Sequence, residues 1–193
     1  MRSDKLLYDI CIIGGGINGV SCALQCASKG YNVILFEQKR LGNGASSKTS
    51  KLAHGGLRYL ENLETDLVKE SLQERNLLLE EYPDLVKPLP FIFPVYTNFN
   101  TVKMWAGLKL YDMLAKGSKM PKSKKISIIE SKIKIPWLNT SGIKSTFLYY
   151  DAIMDDKELI YRIANKARSK SAQIYSDEKV IRMSNLSNYV QVK

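Results

Sequence analysis

Three glycines near the start of the chain have a spacing that can bind a phosphate group. Gly14, Gly16 and Gly19 form a Gly-x-Gly-x-x-Gly pattern between the apolar run 10–13 and a helical pattern. The first glycine permits a sharp turn, the second lets a pyrophosphate approach the backbone, and the third lets the helix pack closely. The N-terminus of that helix offers N–H groups and a partial positive charge. The spacing therefore predicts a dinucleotide-binding βαβ unit.

An acidic residue ends the second strand of this predicted unit. Glu37 follows the apolar run 33–36, eighteen residues after Gly19. Its carboxylate can accept hydrogen bonds from ribose hydroxyls and would disfavour a 2′-phosphate, which indicates FAD or NAD. The glycine motif alone does not choose between these two. The residues predicted to contact the dinucleotide in this part of the chain are Gly14, Gly16, Ile17, Asn18, Gly19, Glu37 and Gln38.

A second segment, residues 46–61, is also rich in side chains that can do chemistry. The hydroxyls of Ser46 and Ser47, together with Lys51, can line a pyrophosphate, and an ordinary solvated loop is the alternative. Arg58 can hold a phosphate through two parallel hydrogen bonds, which a lysine cannot do, or it can form a structural ion pair.

The single histidine of the chain, His54, lies in the same segment. A neutral imidazole can accept the proton of a hydroxyl group, and a histidine that only positions the loop would have the same sequence context. Tyr59 either borders a substrate pocket or packs in the interior.

Read together with the glycine motif, this segment resembles the FAD-dependent (aerobic) glycerol-3-phosphate dehydrogenases and the related oxidases. The shared motif is Ser-Lys-Leu-x-His-Gly-Gly-Leu-Arg-Tyr-Leu-Glu at 50–61, and Tyr149-Tyr150-Asp151 followed by Met154-Asp155-Asp156 supports it. The resemblance implies FAD and the oxidation of sn-glycerol 3-phosphate to dihydroxyacetone phosphate, with hydride passing from C2 to flavin N5. Electrons then pass to membrane quinone or to another acceptor.

The resemblance also implies roles for individual residues. Arg58 is expected to bind the substrate phosphate, and His54 is expected beside the flavin. Tyr59 is the third candidate for the catalytic site, with both of its alternatives still open. Lys51 and Leu52 join the residues expected to contact FAD.

The expected fold class is α/β, a Rossmann-like FAD-binding domain with part of an α+β substrate domain. We expect the FAD-binding domain at 1–90, a partial substrate or cap domain at 91–150, and the FAD-binding domain again at 151–193. Because members of the family are much longer, we expect this chain to be an N-terminal portion.

The remaining elements follow from periodicity and capping. A stripe of leucines predicts a helix over 60–81, and Pro94 places the extended segment 88–96 at a sheet edge. Further predictions are a helix capped by Thr101, an extended segment at 149–154, a helix from the structural caps Asp155-Asp156 to about Ser169, and strands at 172–176, 179–183 and 189–192.

Composition limits the partners. The formal net charge is +10, and seven lysines fall within 116–134, either in a solvated insertion or in a patch facing anionic lipid headgroups. No nucleic-acid motif is present, and no apolar stretch of about 18 residues exists. We expect a cytoplasmic protein that associates peripherally with the inner face of the membrane if the basic patch binds lipid.

Cys11, Cys22 and Cys26 have no metal-ligand spacing and are expected to be buried thiols.

Two alternatives stay open. The chain can belong to another flavin oxidase of the same fold that acts on amino acids, in which case Arg58 would hold a carboxylate. It can also be a non-catalytic remnant that binds nucleotide weakly or assembles with a second polypeptide.

Overall fold

The computed structural model describes residues 7–44 and 49–193. The chain forms two compact units. The first contains the residues up to Ser50 together with Asp155–Lys193, and the second contains Lys51–Met154. Mixed helices and strands in each unit confirm the predicted α/β class.

The elements, numbered in chain order, are β1 (Ile10–Ile13), α1 (Ile17–Ser28), β2 (Val33–Glu37), β3 (Leu52–Ala53), a 3₁₀ helix (Leu57–Asn62), α2 (Thr65–Glu81), β4 (Val86–Val95), α3 (Asn98–Leu114), β5 (Lys124–Ile126), α4 (Ile128–Lys134), β6 (Ser145–Met154), α5 (Asp156–Ser169), β7 (Gln173–Ser176), β8 (Met183–Leu186) and β9 (Tyr189–Val192).

The first unit contains a parallel sheet with the order β1-β2-β7. Ile10 pairs with Val33, and Ile34 pairs with Gln173 on the other side of β2. Parallel strands require crossover connections, and α1 supplies the one between β1 and β2. β2 is central and therefore almost continuously apolar, as expected for a strand covered on both faces.

Helices α1 and α5 pack against one another beside this sheet. Small residues of α1, Ala23 and Ala27, are buried and allow the close approach. The buried positions of α5 recur at i, i+3, i+4 and i+7, which is one face of a helix. They are Ile160, Ile163, Ala164 and Ala167, and Asp156 and Leu159 are buried as well.

The second unit is organised around β6. This strand pairs antiparallel with β4 along its whole length, from Val86 opposite Met154 to Val95 opposite Ser145. Its other side pairs with β3 and with β5. Helices α2 and α3 pack against this sheet and the 3₁₀ helix.

Strand β4 carries three prolines and lies at an edge of the described sheet, as Pro94 predicted. Pro88, Pro90 and Pro94 occupy positions of the same parity. Backbone groups of alternate residues point to the same side of a strand, so the three positions without an N–H fall on one side. Because β4 is still paired with β6 along its length, these positions lie on the side away from β6.

The helix predicted over 60–81 is confirmed over Thr65–Glu81, and its predicted start is wrong. The structure has a 3₁₀ helix to Asn62, a left-handed residue at Leu63 (φ 60°), and α2 from Thr65. Tertiary packing explains the break, because the 3₁₀ helix contributes apolar side chains to the cluster around Val68 and Leu72. Two leucines of the predicted stripe are exposed, Leu63 by 79% and Leu67 by 41%, whereas Leu72 is fully buried.

Several local predictions are corrected. Thr97, and not Thr101, caps α3, because its side chain accepts a hydrogen bond from the Asn100 N–H. Cys11 on β1 is exposed. On α1, Cys22 is exposed and Cys26 is half-buried, because the helix buries its alanine face instead. The strand predicted at 179–183 begins only at Met183, where pairing with β9 starts.

The compact units divide at positions other than the predicted domain boundaries. The segment 51–90 lies in the second unit because β3 and β4 both pair with β6. The assignment of FAD-binding and substrate roles to the ranges 1–90, 91–150 and 151–193 stays a prediction. Within residues 7–44 and 49–193, the helices are too short or too polar to span a bilayer.

Candidate functional site

The glycine turn has the local geometry that a pyrophosphate site needs. Gly14 follows β1 with φ 111°, a conformation that L-residues rarely adopt, and its N–H donates to the Phe36 carbonyl at 2.8 Å. A Cβ on Gly19 would overlap the Gly14 carbonyl oxygen, so only glycine lets α1 begin this close to the strand. Both requirements agree with the roles predicted from the spacing.

The N-terminus of α1 is formed by Gly16, which caps the helix with an extended backbone (φ −77°, ψ −177°). It carries no capping side chain, and the first turn contains no acidic residue. The helix dipole at this end is therefore not offset by a carboxylate of its own first turn, which suits an anionic ligand. Ile17 and Asn18 form the first turn.

Glu37 braces the glycine turn, a role that the sequence did not indicate. One carboxylate oxygen, Oε2, accepts the Gly15 N–H at 2.7 Å, and Oε1 accepts the Lys39 N–H at 2.9 Å. Each carboxylate oxygen retains a further lone pair, so the predicted bond to a ribose hydroxyl remains compatible with this geometry. Gln38 is exposed next to it.

Two of the predicted cofactor contacts, Ser46 and Ser47, lie outside the described residues. The neighbouring Thr49 hydroxyl donates to Asp156, and Asp155 accepts the Glu158 N–H at the start of α5. These contacts confirm that the Asp155-Asp156 pair is structural. Lys51 is exposed with φ 57°, and its carbonyl accepts the Met154 N–H at 2.8 Å.

The second unit contains an open cleft of about 1140 Å³ that brings together four of the predicted site residues. These are Leu52, His54, Arg58 and Tyr59. The short turn at Gly55 and Gly56 and the following 3₁₀ helix deliver the last three side chains to one cavity. Phe91 and Tyr149 form an aromatic wall, with ring centroids 5.3 Å apart.

Arg58 and His54 are both exposed in this cleft. Within the part of the chain that the structure describes, the ion pairs do not include Arg58. An exposed guanidinium that faces a cavity without a carboxylate partner can bind an anion. The two alternatives for Tyr59 were a place at the border of a pocket and packing in the interior. Both apply, because Tyr59 lines the cleft and also packs against the cluster around Leu72.

The two glycines after His54 have an internal reason to be glycine. A Cβ on Gly55 would overlap the side chains of Leu72 and Tyr111, and a Cβ on Gly56 (φ 72°) would overlap the Tyr59 ring. Packing inside the unit already requires them.

A buried polar cluster beneath this turn was missed by the sequence reasoning. Asp151 accepts hydrogen bonds from Arg75 at 2.7 Å and from the Tyr111 hydroxyl at 2.6 Å. Arg75 and Tyr111 are each 2% exposed. A signal existed, because Arg75 occupies the i+7 position of the buried face of α2 that starts at Val68. An arginine in an apolar stripe needs a buried partner.

Burial and a nearby negative charge raise the pKa of two tyrosines in this region. Burial, followed by the nearby Asp151 charge, raises the pKa of Tyr149 to about 12. The same two causes raise the pKa of Tyr111 further. The Tyr111 hydroxyl therefore stays protonated above its usual range and donates to Asp151.

Comparison with known proteins agrees with these features. Residues 9–191 match the family described as FAD dependent oxidoreductase. Glycerol-3-phosphate dehydrogenase of Pseudomonas aeruginosa is 41% identical over 172 residues, which cover 88% of this chain and 32% of that protein. The glycerol-3-phosphate dehydrogenase of Mycobacterium leprae is 39% identical over 181 residues, which cover 90% of this chain and 30% of that protein. The chain thus spans about a third of the length of these relatives.

Solved structures show the same fold. The glycerol-3-phosphate dehydrogenase from Bacillus halodurans complexed with FAD aligns with a TM-score of 0.70 and 21% identity, over 96% of this chain and 29% of that one. The L-α-glycerophosphate oxidase from Mycoplasma pneumoniae with FAD bound aligns with a TM-score of 0.75 and 17% identity, over 96% of this chain and 49% of that one. L-proline dehydrogenase from P. horikoshii aligns with a TM-score of 0.70 and 23% identity, over 95% of this chain and 48% of that one.

The residues present fit the dinucleotide part of FAD. The turn at Gly14 and the position of Gly19 leave the backbone and the helix N-terminus open to a pyrophosphate, and Glu37 stands at the end of the adjacent strand. The match of 9–191 covers nearly the whole chain. This chain belongs to the family of FAD-dependent oxidoreductases.

Proposed function

We propose that this chain carries FAD- and substrate-binding elements of an enzyme that oxidises sn-glycerol 3-phosphate to dihydroxyacetone phosphate. Quinone or another acceptor takes the electrons. The observation that carries the proposal is the cleft in which Arg58 and His54 face the same cavity, with no ion pair to Arg58 among the described residues. The relatives named glycerol-3-phosphate dehydrogenase support the choice of substrate.

The residues of the cleft can divide the work as follows. Arg58 binds the phosphate of the substrate through its planar guanidinium, which matches two phosphate oxygens at once. His54 takes up the proton of the C2 hydroxyl or orients the substrate beside it. FAD supplies the hydride acceptor when it is bound. The aromatic wall of Phe91 and Tyr149 excludes water from one side of the cleft.

The test is a binding and turnover assay on the purified chain. Flavin absorbance measures FAD retention, and dye reduction with sn-glycerol 3-phosphate measures turnover. We expect Arg58→Lys to raise the dissociation constant for sn-glycerol 3-phosphate by roughly 10- to 100-fold, because one charge-assisted hydrogen bond is lost.

Arg162→Lys is the matched control, since Arg162 is an exposed arginine that pairs with Glu158 on α5 in the other unit. This variant should bind like the original chain. Equal affinities for the Arg58→Lys and Arg162→Lys variants would contradict the phosphate role. A chain that retains no FAD under gentle purification would instead favour the non-catalytic remnant.

The amino-acid alternative is tested in the same assay. L-proline dehydrogenase and the glycine oxidase from Geobacillus kaustophilus share the fold, so the fold alone does not separate the substrates. Dye reduction with L-proline or glycine, in the absence of reduction with sn-glycerol 3-phosphate, would assign Arg58 to a carboxylate.

We also propose that the basic stretch 116–134 binds anionic lipid headgroups. Helix α4 carries Lys132 and Lys134 in its last turn and exposes two isoleucines, Ile129 (75%) and Ile133 (74%). Trp137 follows the helix and is 84% exposed. Exposed apolar side chains beside lysines are typical of a surface that lies in the membrane interface.

Sedimentation with vesicles tests this proposal. We expect binding to vesicles that contain phosphatidylserine and not to neutral vesicles, with loss as the salt concentration rises. Lys132→Glu together with Lys134→Glu should weaken binding, whereas Lys157→Glu on α5 should not. Equal binding to neutral vesicles, or no binding to either, would contradict the proposal.

A further inference from the structure

A single carboxylate oxygen of Asp151 accepts hydrogen bonds from three donors in three separate segments of the chain. Oδ1 accepts the Tyr111 hydroxyl of α3 at 2.6 Å, the Arg75 Nη1 of α2 at 2.7 Å and the Gly55 N–H at 3.0 Å. Arg75, Tyr111 and Asp151 are between 2% and 4% exposed. We refer to these three side chains as the buried triad.

The third donor is the one outside regular structure. Gly55 lies between β3 and the 3₁₀ helix, and its N–H donates to the Asp151 side chain and not to a backbone carbonyl of a helix or sheet. The side chains of Leu72 and Tyr111 fill the space that a Cβ on Gly55 would need. The triad therefore fixes the backbone at Gly55 by a hydrogen bond and by packing together.

Gly55 connects the two side chains of the proposed substrate cleft. His54 precedes it directly, and Gly56 turns the chain at φ 72° before its carbonyl accepts the Tyr59 N–H at 2.8 Å. That bond opens the 3₁₀ helix on which Arg58 lies. A shift at Gly55 would thus move both the imidazole and the guanidinium.

We propose that Arg75, Tyr111 and Asp151 are positioning residues that hold the turn His54–Gly56 in place for the cleft. The part of this inference that concerns substrate rests on the proposed function. The part that concerns the turn does not.

Stability alone is a weak reason for such a cluster. Replacing a buried ion pair by apolar side chains of similar volume is often neutral or stabilising. What apolar residues cannot supply is an acceptor for the Gly55 N–H. Arg75 donates to Asp151, the Tyr111 hydroxyl and the Tyr150 carbonyl through the same nitrogen, Nη1. Its buried Nε lacks a partner within the described part of the chain.

Amide hydrogen exchange by NMR measures the turn directly. In the unmodified chain we expect the Gly55 amide to exchange as slowly as the amides of β6, although Gly55 lies in a loop. The test variant combines Arg75→Met, Tyr111→Phe and Asp151→Leu, which removes the three polar groups together. The Gly55 amide should then exchange at least tenfold faster relative to the β6 amides of the same protein, and the ring signal of His54 should shift.

Thr146→Val is the matched control. Thr146 is a fully buried residue of β6 whose hydroxyl donates to the Ile126 carbonyl, remote in sequence from the turn. This variant should leave the ratio of Gly55 to β6 exchange within about twofold. If the combined variant does not fold, Tyr111→Phe alone should raise the ratio at least threefold.

The results separate this inference from the proposed function. A Gly55 amide that exchanges like an open loop in the unmodified chain, or a ratio unchanged in the variants, would overturn the inference. A loosened turn with unchanged affinity for sn-glycerol 3-phosphate would also overturn it, since at least a tenfold weakening is expected. If no form of the chain binds sn-glycerol 3-phosphate, the proposed function fails, and the exchange ratio still decides whether the triad holds the turn.

Discussion

Gly19→Ala should weaken FAD binding by moving the helix that begins at the glycine turn. The added Cβ would overlap the Gly14 carbonyl oxygen and would lie 3.1 Å from the Gly14 carbonyl carbon. Both atoms belong to the backbone, so neither can rotate away as a side chain would. Helix α1 must therefore retreat from β1 by about 1.5 Å to restore ordinary contact distances.

The size of the effect follows from two opposing terms. Overpacking costs about 1–3 kcal/mol, and replacing a helical glycine by alanine returns about 0.5–1 kcal/mol. The free energy of unfolding should thus fall by between about 0 and 2.5 kcal/mol. The displaced N–H groups at the start of α1 would form longer hydrogen bonds to the pyrophosphate. The loss of one charge-assisted hydrogen bond lowers the affinity for FAD by about 10- to 100-fold.

Titration of the apoprotein with FAD, followed by flavin fluorescence, measures the affinity, and thermal unfolding by circular dichroism measures the stability. Gln25→Ala, at an exposed position of the same helix, serves as the control and should bind FAD normally. An FAD affinity of Gly19→Ala within threefold of the original chain would refute the packing argument.

Three further predictions concern stability. Gly107→Ala in α3 should raise the free energy of unfolding by about 0.5–1 kcal/mol in urea titrations, because a Cβ there meets no atom within 4 Å; a decrease would contradict this. Asp155→Ala should lower the thermal midpoint through a loss of about 1 kcal/mol at the start of α5, whereas Asp155→Asn, which keeps the cap, should not. The neutral form of Tyr149 is favoured in the folded state, with a pKa of about 12 against an ordinary 10, so stability should hold below pH 10 and fall as the pH rises toward 12. Tyr149→Phe should make this fall shallower in urea unfolding at pH 9 to 11.5, and an equal slope would count against the assignment.

The sequence predicted those parts of the fold whose cause is local. The turn at Gly14 requires a left-handed backbone, and Asp155 caps the helix that follows it, so residue type alone carries both signals. The parallel pairing of β1 with β2 follows from the apolar runs and the intervening helix. The family match confirmed the expected FAD-binding fold.

Other features depend on tertiary packing and left only a weak signal. Leu63 adopts a left-handed conformation that leucine does not favour, because the 3₁₀ helix before it packs on the cluster around Leu72. Nothing in the local pattern announces this break. Arg75 did carry a signal in the register of α2, but its partner Asp151 lies 76 residues away and its contact with Gly55 is visible only in three dimensions.

The prolines of β4 have a consequence for how this protein behaves at high concentration. An unpaired strand edge normally invites another chain to add a strand, and such addition begins aggregation. At Pro88, Pro90 and Pro94 the outer side of β4 has no N–H to donate, so an incoming strand would find acceptors without the matching donors. Replacing these prolines by valine would restore a complete edge and should make the second unit prone to self-association through its sheet.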